Sequence, residues 1–586
     1  MTTQEIKELK VKLWHSADLL RAGAHLGASE YGQPILGLIF LRYADILYKK
    51  NEKTILDKFQ EYKKSRRGAN KTIVDVAKEV CNFYLPAEAS YSWINAQPLD
   101  KPKAKLLKEA MELIEKYNST LEGVLPKEVY SQLEPDDEPE LLSRIVRVFM
   151  DIPDTIEIDI FGEIYEYFLG EFALAEGQGG GVFYTPASVV KYMVEVLKPE
   201  GKDKKFLDPA CGSGGMFVQA ARYMHKHNLN GADLGFRVYG VEKDPKTVKL
   251  AKMNILLNNV RGEITEANSF YSDPYDSYHS FDYVMANPPF NVDEVLYDRV
   301  KDQPRFNEYG VPKNKSKSSK KASDAKETVP NANYLWISQF ATALNGNGKA
   351  ALVMANSASD AGGSELEIRK NIIKSGIIKQ MVTLPSNMFN TVTLPATLWF
   401  FDKAQVNSEK KDKILFIDAR NVFTQVDRAH RKFSDEQIKN LGIITRLYEG
   451  DIEAFNNLIN EYETNLETLD NKDYWQSQID WLNERFPDGK YQDVIGLCKV
   501  AKIGEILDKE GNIIEIEEDS IADNDYSLNA GRYVGVVIED DGMTSEKFKE
   551  TMLKLNDELS NLNSLAKELE DEISLNLKEL FGDNHE

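Results

Sequence analysis

Cysteine is scarce in this chain. Three residues, Cys81, Cys211 and Cys498, are scattered through 586 positions. An odd, widely spaced set builds no disulfide framework and points to a reducing cytosol. Cys211 sits within a glycine-rich turn, where a small packing role is expected of it rather than a nucleophilic one. Long apolar runs are missing too. Crossing a bilayer takes about 20 consecutive apolar residues. The nearest candidate, Pro34 to Leu47, is interrupted by Arg42 and Asp45, so it reads as a buried amphipathic helix and no membrane role is expected. The first residues lack the basic-then-apolar pattern of a secretory leader. The seven histidines are scattered. His225 and His227 stand two apart on a predicted helix and point apart, so no metal site is expected. Positive charge is in deficit: 72 Lys and Arg face 94 Asp and Glu, a formal charge of −22. That balance opposes a polyanionic partner, but its distribution softens the objection. Ala501 to Glu586 holds 8 Lys/Arg and 23 Asp/Glu, or −15, leaving the rest close to balanced. A near-neutral body with an acidic tail needs a partner's help to hold nucleic acid.

What is present fits a soluble globular protein: 42% of residues are hydrophobic and 28% charged. The length suggests two to four domains. Residues 1–150 show helical periodicity and little strand character, with an amphipathic face beginning at Trp14, Ala17 and Leu20. Further helices are expected from Leu141 to Phe149 and from Asp159 to Phe172. From about residue 180 the texture changes to short apolar runs separated by helical stretches. Strands are expected at Lys205–Leu207, Val238–Val241, Ile264–Glu266, Tyr283–Ala286, Ala350–Ala355, Ile378–Leu384, Thr397–Phe401 and Ile414–Asp418. Such alternation makes a doubly wound, Rossmann-like α/β sheet. Residues 312–326 form a polar insertion with six lysines. It reads equally as a surface loop and as a phosphate-contacting one. Met552, Leu555, Leu559, Leu562, Ala566, Leu569, Ile573, Asn576 and Leu580 keep an unbroken alternation of three- and four-residue steps, the seam of a coiled coil with a polar register position near its end.

Two motifs carry the chemistry. Asp208-Pro-Ala-Cys-Gly-Ser-Gly-Gly215 follows one expected strand and opens a helix. Its glycines allow left-handed backbone and close approach to a ligand, making a nucleotide-like pocket at the sheet's carboxyl edge. It is no phosphate-binding P-loop, since no Gly-Lys-Ser/Thr follows. Glu242 ends the next strand, 27 residues beyond Gly215, where a carboxylate can accept both hydroxyls of a ribose. Asn287-Pro-Pro-Phe290 ends the fourth strand. Two prolines stiffen the turn, so the Asn287 side-chain oxygen and the Pro288 carbonyl can both accept from one exocyclic amino group. Those bonds localise a lone pair that ring conjugation spreads, making the nitrogen a nucleophile for a sulfonium methyl. Positioning and electrostatics suffice, with no metal and no covalent enzyme intermediate. Phe290 offers a π face to the target base.

The order of these motifs, 79 residues apart from Asp208 to Asn287, resembles the adenine-N6 amino-methyltransferases. A third element, Gly181-Val-Phe-Tyr-Thr-Pro186, stands where that group has an aromatic-Thr-Pro segment over its cofactor. The resemblance implies S-adenosyl-L-methionine as cofactor, lined by Val182, Phe183, Tyr184, Thr185 and Pro186. Its methionine end is implied to sit on the loop of Asp208, Ala210, Gly212, Ser213, Gly214 and Gly215, and its ribose on Glu242. Many relatives have Asp where Asn268 closes the third strand; Asn268 can still meet the adenine ring of the cofactor.

More narrowly, LWHSADLLRAGAHLGASEYGQPILGLIFLRYADIL, EIYEYFLGEFA and Asp525-Tyr-Ser-Leu-Asn-Ala-Gly-Arg-Tyr533 resemble the methyltransferase subunits of type I restriction–modification systems. This implies two such subunits flanking a DNA-reading specificity subunit on double-stranded DNA, with a restriction subunit able to join. Sequence reading is delegated to the partner, in keeping with the lack of a duplicated target-recognition region. The expected domains are 1–150, helical; 151–430, S-adenosylmethionine-dependent methyltransferase; 431–544, mixed; and 545–586, a coiled-coil helix docking on the specificity subunit. The target adenine must leave the duplex to reach such a site. Three other readings are weaker. A built-in nuclease would need more than Glu61-Tyr62-Lys63, a triplet expected by chance here. Glutamine methylation on a protein usually has Tyr where Phe290 stands. A cofactor-binding scaffold would not need an intact Asn287–Phe290.

Overall fold

The eight apolar runs fold as strands of one nine-stranded sheet in the computed structural model, which describes residues 3–23, 28–64, 70–81, 83–98, 101–133, 140–156, 158–176, 185–227, 237–258, 260–313, 327–389, 395–428, 430–537 and 545–581. The strands are β1 (Lys205–Asp208), β2 (Arg237–Glu242), β3 (Gly262–Glu266), β4 (Phe281–Ala286), β5 (Leu344–Ala355), β6 (Ile378–Thr383), β7 (Ala396–Asp402) and β8 (Lys413–Asp418). A short ribbon, β9 (Thr424–Gln425) with β10 (Arg431–Lys432), follows; β11 (Cys498–Lys502) then closes one edge of the sheet, and β12 (Glu505–Leu507) pairs with β13 (Ile513–Ile516) in a separate hairpin. The order across the sheet is β11-β8-β6-β7-β5-β4-β1-β2-β3. Only β7 and β11 run antiparallel to their neighbours. All the other strands therefore end at one edge, where open α/β sheets place their ligands.

The interior strands are largely apolar because both faces are covered; every residue of β6 and β7 is buried, and the polar ones find partners, as Lys379 does in Glu449 and Gln380 in Thr445. Helices Ala187–Leu197, Gly215–His227 and Asp435–Glu449 contribute to the core on one face, and Asn333–Ala343 and Ser364–Lys374 to that on the other. Helix Pro245–Leu257 serves two cores. Val248, Ala251 and Ile255 face the sheet, while Met253 and Leu257 join the core of the N-terminal helices. Those helices are Thr3–Gly23, Ala28–Lys64, Ile73–Cys81, Tyr91–Ala96, Lys103–Tyr117, Leu141–Phe149 and Ile158–Glu176. No described helix is long and apolar enough to cross a membrane.

Two expectations need correction. Pro34 to Leu47 is not amphipathic: it is buried on every side within a 37-residue helix. Its polar interruptions are tolerated because they satisfy each other. Arg42 Nη1 lies 3.3 Å from Asp45 Oδ2, and Arg42 Nη2 donates to the Ile152 carbonyl and, at 2.7 Å, to Asp154. Ser92 Oγ donates to Asp45 as well. Asn268 does not close the third strand, which ends at Glu266; it begins the turn beyond. The lysine-rich insertion lies outside the described residues apart from positions 312 and 313.

The chain divides into two compact units, Met1–Gly535 and Val536–Glu586. The second is built on one 37-residue helix, Ser545–Phe581, whose seam residues Met552, Leu555, Leu559, Leu562, Leu569 and Ile573 are exposed. A single helix has no core of its own, and such a seam is stable when a partner covers it.

Arg42 and Asp45 are each 1% exposed. Replacing Arg42 by Met leaves the buried Asp45 to Lys49, at 3.1 Å, and Ser92 and takes the donor from the Ile152 carbonyl and Asp154, at a cost of about 3 kcal/mol. The first thermal unfolding transition of the variant is expected several degrees below that of the parent chain by calorimetry; an unchanged transition contradicts this account of the helical core.

Candidate active site

The glycine turn begins where β1 ends. Gly212 and Gly214 take positive φ angles of 51° and 79°, a region that side chains disfavour. A Cβ built on Gly212 or Gly215 meets nothing within 4 Å, whereas one on Gly214 meets Ile255 and Ala251 of helix Pro245–Leu257. The turn thus packs on that helix through Gly214 and leaves open space over Gly212 and Gly215. Four contacts fix its path. Cys211 N–H donates to the Val241 carbonyl at 3.0 Å and Gly214 N–H to the Cys211 carbonyl at 2.8 Å. Asn254 Nδ2 donates to the Ser213 carbonyl at 2.8 Å, and the Ser269 hydroxyl to the Pro209 carbonyl. Cys211 is buried, which raises its thiol well above the ordinary range. A Cβ on Gly240 would approach its Sγ to 2.8 Å, in line with a packing role.

Two carboxylates border the turn. Asp208 is 1% exposed and accepts from Ala210 N–H at 3.0 Å. Burial, with the Glu242 charge nearby, pushes its carboxyl well above the usual carboxylate range. Glu242, at the end of β2, accepts from Gly212 N–H through Oε2 and from Lys243 and Asp244 N–H through Oε1. These use three of the roughly four acceptor positions of a carboxylate and lock it in the plane of the turn. Asn268 stands nearby: Ala267 N–H donates to the Glu242 carbonyl, and Asn268 Oδ1 accepts from Phe270 N–H at 3.0 Å.

The second motif leaves the neighbouring strand. β4 pairs directly with β1, Phe206 beside Tyr283 and Leu207 beside Val284. The turns that follow them are therefore about one strand spacing apart, near 5 Å. Asn287 Nδ2 donates to Thr185 Oγ1 at 3.0 Å, linking the Asn-Pro-Pro turn to the aromatic-Thr-Pro segment across 102 positions of sequence. Asn287 Oδ1 is buried and accepts no hydrogen bond among the described residues. Pro288 is buried, and Phe290 is half-buried against the cores on both faces of the sheet. Beyond it Asn291 takes a positive φ of 54° and exchanges two 2.8 Å bonds with the Asn333 side chain. Pro186 precedes helix Ala187–Leu197. Val182, Phe183 and Tyr184 lie outside the described residues.

The arrangement brings an open glycine turn, a fixed carboxylate and an unused buried acceptor to one edge. An unpaired buried oxygen is costly in isolation, and it suits a ligand amino group that arrives later. Sequence reading missed the supports. Asn254 is fully buried and accepts at Oδ1 from Asn258, which in turn accepts from Arg222. Gly162, on helix Ile158–Glu176, lies so close that a Cβ there would come within 2.2 Å of Asn258 Oδ1. The one available signal for Asn254 is a polar residue amid Met253, Ile255 and Leu256.

Residues 156–478 match the N-6 DNA methylase family, and residues 9–149 match the HsdM N-terminal domain. The chain is 32% identical over 582 residues to the methylase subunit of the type I restriction enzyme MjaIX of Methanocaldococcus jannaschii, covering 96% of this chain and 91% of that protein. It is 32% identical over 490 residues to the HindI methylase subunit of Haemophilus influenzae, covering 81% and 92%. In fold it is similar to the type I restriction–modification methyltransferase subunit from Streptococcus thermophilus, with a TM-score of 0.66 at 21% identity over 90% of this chain and 99% of that one.

Substituting Leu for Asn254 keeps the branched outline of the side chain and leaves the Ser213 carbonyl without its donor. A loss of about 1–2 kcal/mol corresponds to a roughly 5- to 30-fold weaker hold on the cofactor. Titration calorimetry with S-adenosylmethionine reads this directly, and unaltered affinity refutes the support assigned to Asn254.

Proposed function

We propose, since the chain belongs to the N-6 DNA methylase family and is related along nearly its whole length to the methylase subunits of type I restriction enzymes, that it transfers a methyl group to the N6 amino group of an adenine turned out of duplex DNA. The observation that carries this reading is the buried, unpartnered Oδ1 of Asn287 beside the open glycine turn. S-adenosylmethionine supplies an electrophilic methyl on a sulfonium sulfur. Glu242 accepts from a ribose hydroxyl at the acceptor position on Oε2 that its backbone partners leave over. Asp208 faces the cationic amino group of the methionine end, which offsets the cost of its burial. The residues of the turn meet that same end through their backbone. Val182, Phe183, Tyr184, Thr185 and Pro186 cover the cofactor, and Asn268 borders its adenine.

Asn287 and Pro288 then act on the target. The Thr185 bond orients the Asn287 amide so that Oδ1, and not Nδ2, faces the incoming amine. Acceptance of both amino hydrogens by Asn287 Oδ1 and the Pro288 carbonyl keeps the nitrogen lone pair out of the ring and aimed at the methyl. Pro289 stiffens the turn, and Phe290 stacks on the base. As the nitrogen–methyl bond would form and the methyl–sulfur bond break, with the thioether leaving on the electron pair, the amine's growing positive charge would be stabilised by the same two oxygens until one amino proton passes to solvent. Residues 151–430 would form the catalytic domain. The exposed seam of helix Ser545–Phe581 would dock on a separate specificity subunit, flanked by a second copy of this chain in the cytoplasm, with a restriction subunit able to join.

The test is transfer of labelled methyl groups to duplex DNA by the chain assembled with its specificity subunit, followed by identification of the modified base. Label on adenine N6 is expected. Asn287→Ala should lower the rate by about 100-fold or more with cofactor affinity unchanged. Label on another base, or on protein, contradicts the reading, as does loss of transfer and cofactor binding together.

A further inference from the structure

We propose that the β9–β10 ribbon is a phosphate clamp, with Arg428 and Lys432 gripping the DNA backbone a short distance along the duplex from the base being modified. The inference rests on DNA as the substrate and adds a contact surface to it.

Position is the first argument. β8 runs parallel to β6, β6 and β5 both run antiparallel to β7, and β5 is parallel to β4. The segments that follow β4, β6 and β8 therefore emerge at the same edge. The ribbon begins six residues after β8. It is fastened to the segment after β6: Arg431 N–H donates to the Asn387 carbonyl at 2.9 Å, and Arg431 Nη1 to Ser386 Oγ at 3.0 Å. In the sheet order β6 is three places and β8 four places from β4. At about 4.8 Å per strand this puts the ribbon's base about 14–19 Å from the Asn287 turn. With a rise of about 3.4 Å per base pair, that is four to six base pairs along a duplex lying across the edge.

Charge is the second argument. The chain carries −22, yet residues 424–432 hold Arg428, Arg431 and Lys432 against a single carboxylate, Asp427. Arg428 and Lys432 are exposed, and neither is paired with a carboxylate among the described residues. Arg420, just upstream, shows the contrasting case, since Asp418 neutralises it through a bidentate contact.

Rigidity is the third. The Arg431 guanidinium lies 3.9 Å from the centre of the Phe423 ring, and Thr424 Oγ1 is 3.2 Å from Gln437 Oε1 at the start of helix Asp435–Glu449. Asp427 accepts from His430 N–H at 3.0 Å and closes the turn between the strands. Arg431 is thus a tether, and the two cations it presents are free for a polyanion. A protein surface that needs Coulomb attraction without sequence reading would be built this way, phosphate contacts setting register while base contacts are made elsewhere.

The experiment uses the assembled complex of this chain with its specificity subunit and measures DNA affinity across a range of salt concentrations. Each phosphate contact contributes about 0.9 to the slope of log affinity against log salt. Arg428→Gln with Lys432→Gln is expected to reduce the slope by nearly two and to weaken cognate and unrelated duplexes equally, with cofactor affinity and thermal unfolding unchanged. An unchanged slope overturns the proposal. So does weakened binding of the specificity subunit with the DNA slope intact, because the ribbon would then be a protein interface. Failure of the parent complex itself to methylate DNA would instead sink the functional reading, so the two failures are distinguishable.

Discussion

The direct parallel pairing of β1 with β4 is the constraint on which the rest of the molecule turns. Because these strands are neighbours and run the same way, whatever follows them shares one edge at a separation set by the sheet itself. One turn is glycine-rich and open; the other is proline-stiffened and ends in a buried oxygen with nothing to accept. A rigid sheet can hold such a pair without induced movement, which is what catalysis by positioning demands. The cost of leaving Asn287 Oδ1 unsatisfied is borne by the surrounding fold, as is usual at functional sites.

The supports on either side explain how that geometry persists. On one side Asn254, Asn258 and Arg222 form a polar chain from the Ser213 carbonyl to the face of helix Ile158–Glu176 at Gly162. Helix Ile158–Glu176 thus packs at Gly162 against the polar chain that holds the glycine turn, in addition to the contact of the N-terminal core with the shared helix Pro245–Leu257. On the other side Asn333 clamps Asn291 just past the Asn-Pro-Pro-Phe segment. This edge of the sheet is consequently braced from both sides.

Much of this was legible in the sequence, for identifiable reasons. Interior strands covered on both faces must be largely apolar, so eight of the nine sheet strands stand out as short hydrophobic runs. β11 does not, because Cys498-Lys-Val-Ala-Lys502 is an edge strand with two lysines and half-buried residues. β5 begins six residues earlier than its apolar run, at Leu344 rather than Ala350. Leu344-Asn-Gly-Asn-Gly-Lys349 has the composition of a turn; the pairing of Phe281 with Leu344, followed by a register shift, makes it strand. The glycine turn, Glu242 and Asn287 stood out in the sequence because the proposed chemistry requires those residue types, and the strand order brings them to one edge. Asn254 and Asn333 were not, since an asparagine that serves a neighbour's backbone looks the same in sequence as one on a surface. The Arg42–Asp45 pair misled for a related reason: charge in a helix suggests solvent, and here it marks an internal contact.

The central claim is that the two turns bring a methyl donor and an adenine amine together on Asn287. A structure of the assembled complex with a non-reactive S-adenosylmethionine analogue and its duplex substrate tests it most directly. The extruded adenine's N6 is expected within hydrogen-bonding distance of Asn287 Oδ1 and the Pro288 carbonyl, with the analogue's sulfur-equivalent centre above Gly212 and in line with that nitrogen. An adenine seated elsewhere while Oδ1 stays unpaired, or a cofactor bound away from the glycine turn, would contradict the account.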